Sequence, residues 1–439
     1  MIIETASQSE TEHRVVRHLA MVVVHSNPLL EPGEGDSGGM TVYVREVARN
    51  LAAQGVKVDI FTRKDASETP EVVEVEPGVR VIQITAGDPK LSKEEIPSHL
   101  PEFTCNLVRF VKEEVQSERH APNTPESGEA GPGVPYDMIH SHYWLSGRVA
   151  GRLSERWEIP FVHTFHTLGR VKNGLLADND EPEPKSRLCG ESRVISQANA
   201  IVASTPQEHR SLVDLYAAHP ERIHMITPGV DHGLFAPGEQ AAAKAALGLT
   251  GKRVLAYVGR LQPLKGPEIA VRAMASLIDL APEFGRETVL LVVGGPSGNG
   301  GADEDKRLKA LTEELGLRDS VVFLPARPQR SLPEIYHAAD VCLVPSHTES
   351  FGLVALEAQA SGVPVVGSDI GGLRSIILDG KTGFLVDPGS PESFATAAAK
   401  ILSDPELARS MRAEAVAWGN RFSWERSVDC LRDLYATAN

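Results

Sequence analysis

Short β-branched runs alternate with segments of helical periodicity along nearly the whole chain, and this alternation restricts the fold more than any other feature. In the first half the runs are Leu19 to Val24, Val56 to Thr62, Val79 to Thr85, Met138 to His142, Phe161 to Phe165, Ala200 to Ser204 and His224 to Thr227. Strand-length apolar runs separated by helices predict parallel βαβ units. Between the first two runs Val44, Val47, Ala48 and Leu51 recur at helical spacing, and Gly55 ends the segment, which completes one such unit. The stretch from Thr227 to Gly238 is dense in Gly and Pro and interrupts the series. A second series follows: Arg253 to Val258, Val289 to Val293, Val321 to Leu324, Val341 to Val344, Pro364 to Val366 and Phe384 to Val386. The expected fold is therefore α/β, with two doubly wound parallel-sheet, Rossmann-like domains. They span residues 17–230 and 231–420, and a last helix in 421–439 is free to pack on either one. At ~150 residues per domain, 439 residues suit this division.

Charge narrows the choice of ligand. Lys plus Arg is 44 against 59 for Asp plus Glu, a formal net charge of −15. Such a field repels a phosphate backbone, so no nucleic-acid partner is expected and any anionic ligand must meet a local basic pocket. Cys105, Cys189, Cys342 and Cys430 show no C-x-x-C spacing and read as reduced thiols of an intracellular protein. The apolar run Leu19 to Val24 is too short for a secretory core or a membrane span. A cytoplasmic protein without a membrane partner is expected. Residues 1–16 and the Pro/Gly/Glu-rich segment from Gln116 to Val134 read as a flexible extension and a surface insertion.

Several motifs fall at strand ends, where open α/β sheets bind ligands. The loop Glu31-Pro-Gly-Glu-Gly-Asp-Ser-Gly-Gly-Met40 contains Gly33, Gly35 and Gly38 in G-x-G-x-x-G spacing. A dinucleotide site would want an acid at the end of the next strand, yet that strand ends Phe61-Thr62-Arg63 with Asp59 in its interior. An NADP-dependent dehydrogenase is thus the second reading. Gly38 and Gly39 still allow close backbone approach, and free N–H groups at a helix start suit a phosphate. Arg260 and Lys265, after the first strand of the second series, are cations that could neutralise a departing diphosphate, or else plain surface charges. Arg327 follows a later strand. Glu349 and Glu357 are read on one helix from Ser350 to Gln359, a little over two turns apart and on the same side. There they would accept hydroxyls of a sugar and a ribose, or else serve as a helix-capping acid and a solvated one. His25, His140, His142, His163 and His166 sit at consecutive strand ends, without a zinc-ligand spacing.

Taken together, Gly35-Asp-Ser-Gly-Gly-Met40, His140-Ser-His-Tyr-Trp-Leu-Ser-Gly147, Gly259-Arg-Leu-Gln-Pro-Leu-Lys-Gly266 and Glu349-x7-Glu357 resemble the retaining GT-B glycosyltransferases of family 4. Within that family the chain is most similar to the branch that acts in mycothiol biosynthesis, over nearly everything from Leu19 to Tyr435. The resemblance implies a GT-B fold with a central cleft, and transfer of N-acetylglucosamine from UDP-GlcNAc to 1D-myo-inositol 3-phosphate. It implies donor contacts from Glu31, Pro32, Gly39, Arg260, Lys265, Arg327, Glu349 and Glu357. Acceptor contacts carried over are His25, Asp36, Ser37, Gly38, Gly39, Met40, Thr41, Lys93, Tyr143, Thr167 and Arg187. His166, Arg260 and Lys265 take the catalytic positions. No cofactor is required for the chemistry; a structural Mg2+ would map to carbonyls of Tyr336, His337, Ala339 and Val363, and a homodimer is expected. Two positions depart from the family pattern. Thr41 stands where the family has Asn, and Glu31 where it has Gln.

Alternatives follow from the same residues. A family-4 enzyme acting on a phosphatidylinositol lipid needs a basic amphipathic surface, whereas Pro101 to Glu118 mixes Arg109 and Lys112 with Glu113, Glu114 and Glu118. A sugar-nucleotide sensor would bind the donor without turnover.

Overall fold

The structure, a computed structural model, describes residues 15–32, 37–65, 68–119, 134–175, 181–296 and 301–438. Gly33, Gly35 and Asp36 of the glycine loop lie outside these residues, as do most of the extension and insertion expected at 1–16 and 116–134.

The first sheet is built from β1 (His18–Val22), β2 (Lys57–Arg63), β3 (Val72–Glu76), β4 (Val79–Ile84), β5 (Met138–His142), β6 (Phe161–Thr164), β7 (Ala200–Ala203) and β8 (Ile223–Met225). Its spatial order is β3-β4-β2-β1-β5-β6-β7-β8. All neighbours pair in parallel except β3, which pairs antiparallel with β4. The central strands β1 and β2 are buried along nearly their whole length because both faces of the sheet are covered there, whereas β3 is largely exposed. Ala20 and Val22 face one core cluster, and Leu19, Met21 and Val23 the opposite one. The helix Gly39–Ala53 buries Val44, Val47, Ala48 and Leu51, the residues whose spacing announced it.

The second sheet holds β9 (Arg253–Val258), β10 (Thr288–Val293), β11 (Val321–Leu324), β12 (Val341–Val344), β13 (Val365–Ser368) and β14 (Gly383–Val386). The order is β11-β10-β9-β12-β13-β14, with every pair parallel. In both sheets the order reverses beside the first strand, between β1 and β5 and between β9 and β12. These switch points open crevices at the carboxyl ends of the strands.

The last helix, Trp424–Thr437, packs on the first domain. Trp424, Val428, Leu431, Leu434 and Tyr435 join the core cluster of Leu19, Met21 and Val44. Trp424 meets Tyr43 edge to face with centroids 5.6 Å apart. Tyr435 places its hydroxyl 2.6 Å from His140 Nδ1 on β5. The chain thus passes between domains twice, and the two passages touch: Val230 forms a bridge with Ser423, and Ser427 Oγ donates to the Thr227 carbonyl at 2.6 Å.

Inside the first domain Asp59 accepts from Arg80 Nε at 2.8 Å and from the Tyr136 hydroxyl at 2.8 Å, with His18 Nε2 at 3.0 Å. A carboxylate so enclosed is structural, which agrees with its place in the strand interior. Because Trp424 is buried between the domains' crossing and Tyr43, Trp424→Ala should cost about 3–5 kcal/mol of stability. Urea unfolding followed by circular dichroism measures it; an unchanged midpoint would mean the helix adds nothing to the first domain's core.

Candidate active site

A cleft of about 360 Å³ separates the two switch points. The first domain contributes His25 from the loop after β1, Gly38, Gly39 and Met40 at the start of the first helix, Lys93, and Tyr143, His166 and Thr167 after β5 and β6. The second contributes Arg260 and Lys265 after β9, Arg327 after β11, and Glu349 and Glu357 after β12. Each wall therefore carries cations at strand ends in an acidic protein.

On the first wall two residues hold left-handed backbone without being glycine: Tyr143 at φ 70° and His166 at φ 61°. Such residues cost about 1–3 kcal/mol each and persist where surrounding structure fixes them. Here it does. His166 Nε2 lies 3.0 Å from His142 Nδ1, and the His166 carbonyl accepts a hydrogen bond from the Ser350 hydroxyl of the opposite domain. The Tyr143 ring stacks on His25 at 4.3 Å and carries the Lys93 ammonium 4.4 Å from its centroid. Burial lowers the His166 imidazole to about 3 and takes His25 well below its ordinary range, Lys93 acting in the same direction. Both rings are neutral at pH 7, suited to hydrogen bonding and not to anion pairing.

On the second wall Lys265 Nζ is 2.6 Å from Glu349 Oε2. Glu349 does not belong to the helix expected from Ser350 to Gln359. That helix runs Leu353–Ala360, because Gly352 at φ 109° breaks the backbone just before it. The two glutamates therefore do not share a helical face. Glu349 lies in the approach loop beside Lys265, while Glu357 is buried in the helix. Glu357 accepts from Gln329 Nε2 at 3.0 Å and from the Tyr336 hydroxyl at 2.9 Å. Burial still pushes its carboxyl up to about 7. Arg327 Nη1 pairs with Glu334 at 3.1 Å.

The domains touch across the cleft mouth. The Gly38 backbone lies against the Arg260 guanidinium, where an added Cβ would stand 3.4 Å from Nε. Thr205 Oγ1 donates to the Ser350 carbonyl at 3.5 Å.

Other expected residues lie elsewhere. Pro32 lines the cleft, but the Glu31 side chain points toward Arg45, 3.9 Å away, and is half exposed. Ser37 is buried and donates to the Leu30 carbonyl at 3.3 Å. Thr41 is wholly buried and spends its hydroxyl on Ser26 Oγ at 2.8 Å, so it offers the cleft nothing directly. Arg187 lies behind the wall, 2% exposed. Of the histidines only His25 and His166 line the cleft; His140, His142 and His163 are core residues.

Within the carbonyl set expected for magnesium, Ala339 is already engaged. The Ala339 carbonyl already accepts from Gln240 Nε2 at 3.1 Å and Arg412 Nη2 at 3.3 Å, so a divalent ion there would sit beside a guanidinium. Among the described residues no group of three or more His, Cys, Asp or Glu side chains could hold a metal.

Sequence reasoning missed Lys172, Gln329 and Ser350, all on the cleft wall. A lysine five positions after Thr167 was a signal for the first. The other two are neutral side chains whose roles arise only from contacts made in the fold.

Glu208 packs just behind Ser204 of the cleft. Its Oε2 accepts the Ser204 N–H at 2.8 Å, and its buried Oε1 has no hydrogen-bond partner among the described residues. Burial raises this carboxyl to about 7. A folded-state value above the unfolded one gives stability that is full below the unfolded value and is lost as pH rises through the folded one. The Glu208 contribution to the unfolding free energy should therefore fall from pH 5 to pH 7.5, opposite in sign to that of the buried neutral histidines, so the wild type should lose stability relative to Glu208→Gln over this range. Denaturant unfolding across this range measures it, and an unchanged slope would mean Glu208 is already ionised in the folded protein at pH 5.

Comparisons with known proteins agree with this architecture. Residues 239–418 match the family model described as glycosyl transferases group 1, and residues 38–229 the glycosyl transferase 4-like domain. A protein of Acidothermus cellulolyticus named D-inositol 3-phosphate glycosyltransferase is 46% identical over 424 residues, 96% of this chain and 90% of the relative. One of the same name from Actinosynnema mirum is 45% identical, over 96% of this chain and 98% of the relative. The solved sucrose-phosphate synthase of Thermosynechococcus elongatus superposes with a TM-score of 0.83 at 31% identity, covering 95% of this chain and 98% of its own.

Proposed function

The chain belongs to the family of D-inositol 3-phosphate glycosyltransferases, with the GT-B fold, and we propose that it transfers N-acetylglucosamine from UDP-GlcNAc to 1D-myo-inositol 3-phosphate with retained configuration. The observation that carries this reading is the division of the cleft. One domain presents Arg260 and Lys265 at a strand end, and the other faces them with Lys93, Tyr143, His166 and Thr167.

A nucleoside diphosphate sugar fits the second wall by charge. Arg260 and Lys265 take the diphosphate, where they offset the negative charge that grows as the glycosidic bond breaks. Glu357 accepts the ribose hydroxyls through its carboxyl oxygens. Glu349 pairs with Lys265 in the absence of ligand and turns to the sugar hydroxyls when the diphosphate takes the ammonium. Magnesium has no part in these steps.

The acceptor enters from the first wall, its phosphate toward Lys93 and the region of Thr167. Its hydroxyl attacks the anomeric carbon on the face from which UDP leaves, and a donor phosphate oxygen accepts the proton. The protein supplies position and electrostatics, with no carboxylate nucleophile. The neutral His166 imidazole contacts the reacting sugar. Its fixed backbone and its bond to His142 set the direction of the ring.

Release of UDP from UDP-GlcNAc by the purified protein tests the reading. It should depend on 1D-myo-inositol 3-phosphate and stay at background with unphosphorylated inositol. Equal rates with both acceptors, or none with either, would refute the acceptor assignment. Lys265→Ala should lower kcat at least 100-fold, about 2.7 kcal/mol in the barrier, while leaving the melting temperature within a few degrees. Normal turnover in this variant would remove Lys265 from the chemistry.

A further inference from the structure

Behind Tyr143 and Thr167 lies a cluster of charges that the mechanism above leaves unused. Lys172, on the short helix Gly169–Asn173, lines the cleft. Its Nζ is 2.9 Å from Glu183 Oε1, and Arg187 Nη1 reaches the same oxygen at 2.7 Å. One carboxylate oxygen thus bridges two cations.

The remaining donors of Arg187 are also engaged. Nε binds Glu191 Oε1 at 2.8 Å, and Nη2 binds the Thr167 carbonyl at 3.2 Å and its hydroxyl at 3.0 Å. The guanidinium stands 5.1 Å from the Tyr143 centroid. It is 2% exposed, whereas the Lys172 and Glu183 side chains are 25% and 22% exposed. An anion in the cleft meets Lys172 directly, whereas Arg187 is covered by its partners Glu183, Glu191 and Thr167. Glu183 is tethered through its backbone N–H, which donates to Asn173 Oδ1 at 2.8 Å, so its side chain can swing while its main chain stays in place.

We propose that Glu183 is a built-in counter-ion holding the place of the acceptor's phosphate, and that Lys172 is a phosphate-binding residue released to the acceptor when Glu183 gives way. The inference rests on the acceptor reading of the previous section and adds to it two residues that decide selectivity. The charges make the exchange favourable for the right ligand only. A phosphate monoester brings nearly two negative charges and three acceptor oxygens to Lys172 and Arg187, and so outcompetes a single carboxylate. A neutral polyol brings none, and it leaves the Glu183 bridge closed. Although burial raises the Glu183 carboxyl, Arg187 and Lys172 hold it below its ordinary range, so the counter-ion is charged at neutral pH.

The test uses inorganic phosphate at pH 8, where it is mostly dianionic, titrated calorimetrically into the full-length protein saturated with UDP at constant ionic strength. UDP occupies Arg260 and Lys265, leaving Lys93 and the cradle as the cations of the first wall, and the variants at Lys172 and Glu183 report the cradle's share. Removing the competing charge with Glu183→Gln should tighten phosphate binding at least fivefold, and Lys172→Met should weaken it at least fivefold. Glu183→Ser, which also lacks the charge, should behave as Glu183→Gln and serves if the latter folds poorly. Unchanged or weaker binding in both Glu183 variants would overturn the proposal, since Glu183 would then be positioning Arg187 instead of competing for it. Absence of phosphate binding to the wild type would overturn it as well. With the phosphorylated acceptor, KM should follow these shifts while kcat stays within about twofold. Cradle behaviour as described, with no transfer to 1D-myo-inositol 3-phosphate, would support the counter-ion and count against the acceptor identity alone.

Discussion

Docking of the C-terminal helix on the first domain is the constraint on which the cleft depends. The helix belongs by sequence to the end of the second domain, yet its apolar face fills a core cluster of the first. Burying Trp424, Leu431 and Tyr435 there fixes where the second domain's chain must end, and so fixes the passage at Ser423 against the passage at Val230. Two adjacent passages leave the domains less freedom than one linker would. They face each other through the same pair of switch points, and contacts such as Ser350 with His166 and Thr205 form where the cleft narrows.

Within that frame the electrostatics are local. The chain is strongly acidic as a whole, and the cleft's cations are held in place by carboxylates of the same chain: Glu349 beside Lys265, Glu334 beside Arg327, Glu183 beside Lys172 and Arg187. Pairing keeps long cationic side chains ordered, at the cost of competition with an incoming anion. Under the proposed exchange, a multiply charged group displaces several such partners together where a single charge does not. The neutral histidines between these cations add shape and hydrogen bonding without adding to the charge.

Much of the fold was legible. The runs Met138 to His142, Arg253 to Val258, Val321 to Leu324 and Val341 to Val344 are strands with those bounds; the last two announce themselves as unbroken apolar runs, whereas Met138 to His142 is buried throughout despite Ser141 and two histidines. β3 was not, because Val72–Glu76 is a largely exposed edge strand whose valines alternate with glutamates and whose only neighbour is β4. In the candidate site, cations at strand ends could be read from position alone. The partner of the last helix could not, as an amphipathic face carries no mark of which sheet it will cover. Nor could the separation of Glu349 from Glu357: Gly352 lies inside an otherwise helical pattern, and its left-handed backbone is decided by the contacts around it. The resemblance carried Thr41 and Ser37 over as acceptor contacts, but burial turns both hydroxyls inward.

Tyr143 and His166 share a further property, since each lies within two residues of a strand end while holding positive φ. The strands β5 and β6 are neighbours, so the two reversals lie side by side and present their rings from one rigid ledge. Left-handed backbone has little room to breathe when the residue carries a Cβ, whereas glycine would let each reversal wander. The choice of tyrosine and histidine over glycine at these bends therefore limits the amplitude of motion of that ledge. The cleft wall is stiff where its rings stand, and such adaptability as it has must come from the opposite wall and from the side chains of Lys93 and Lys172.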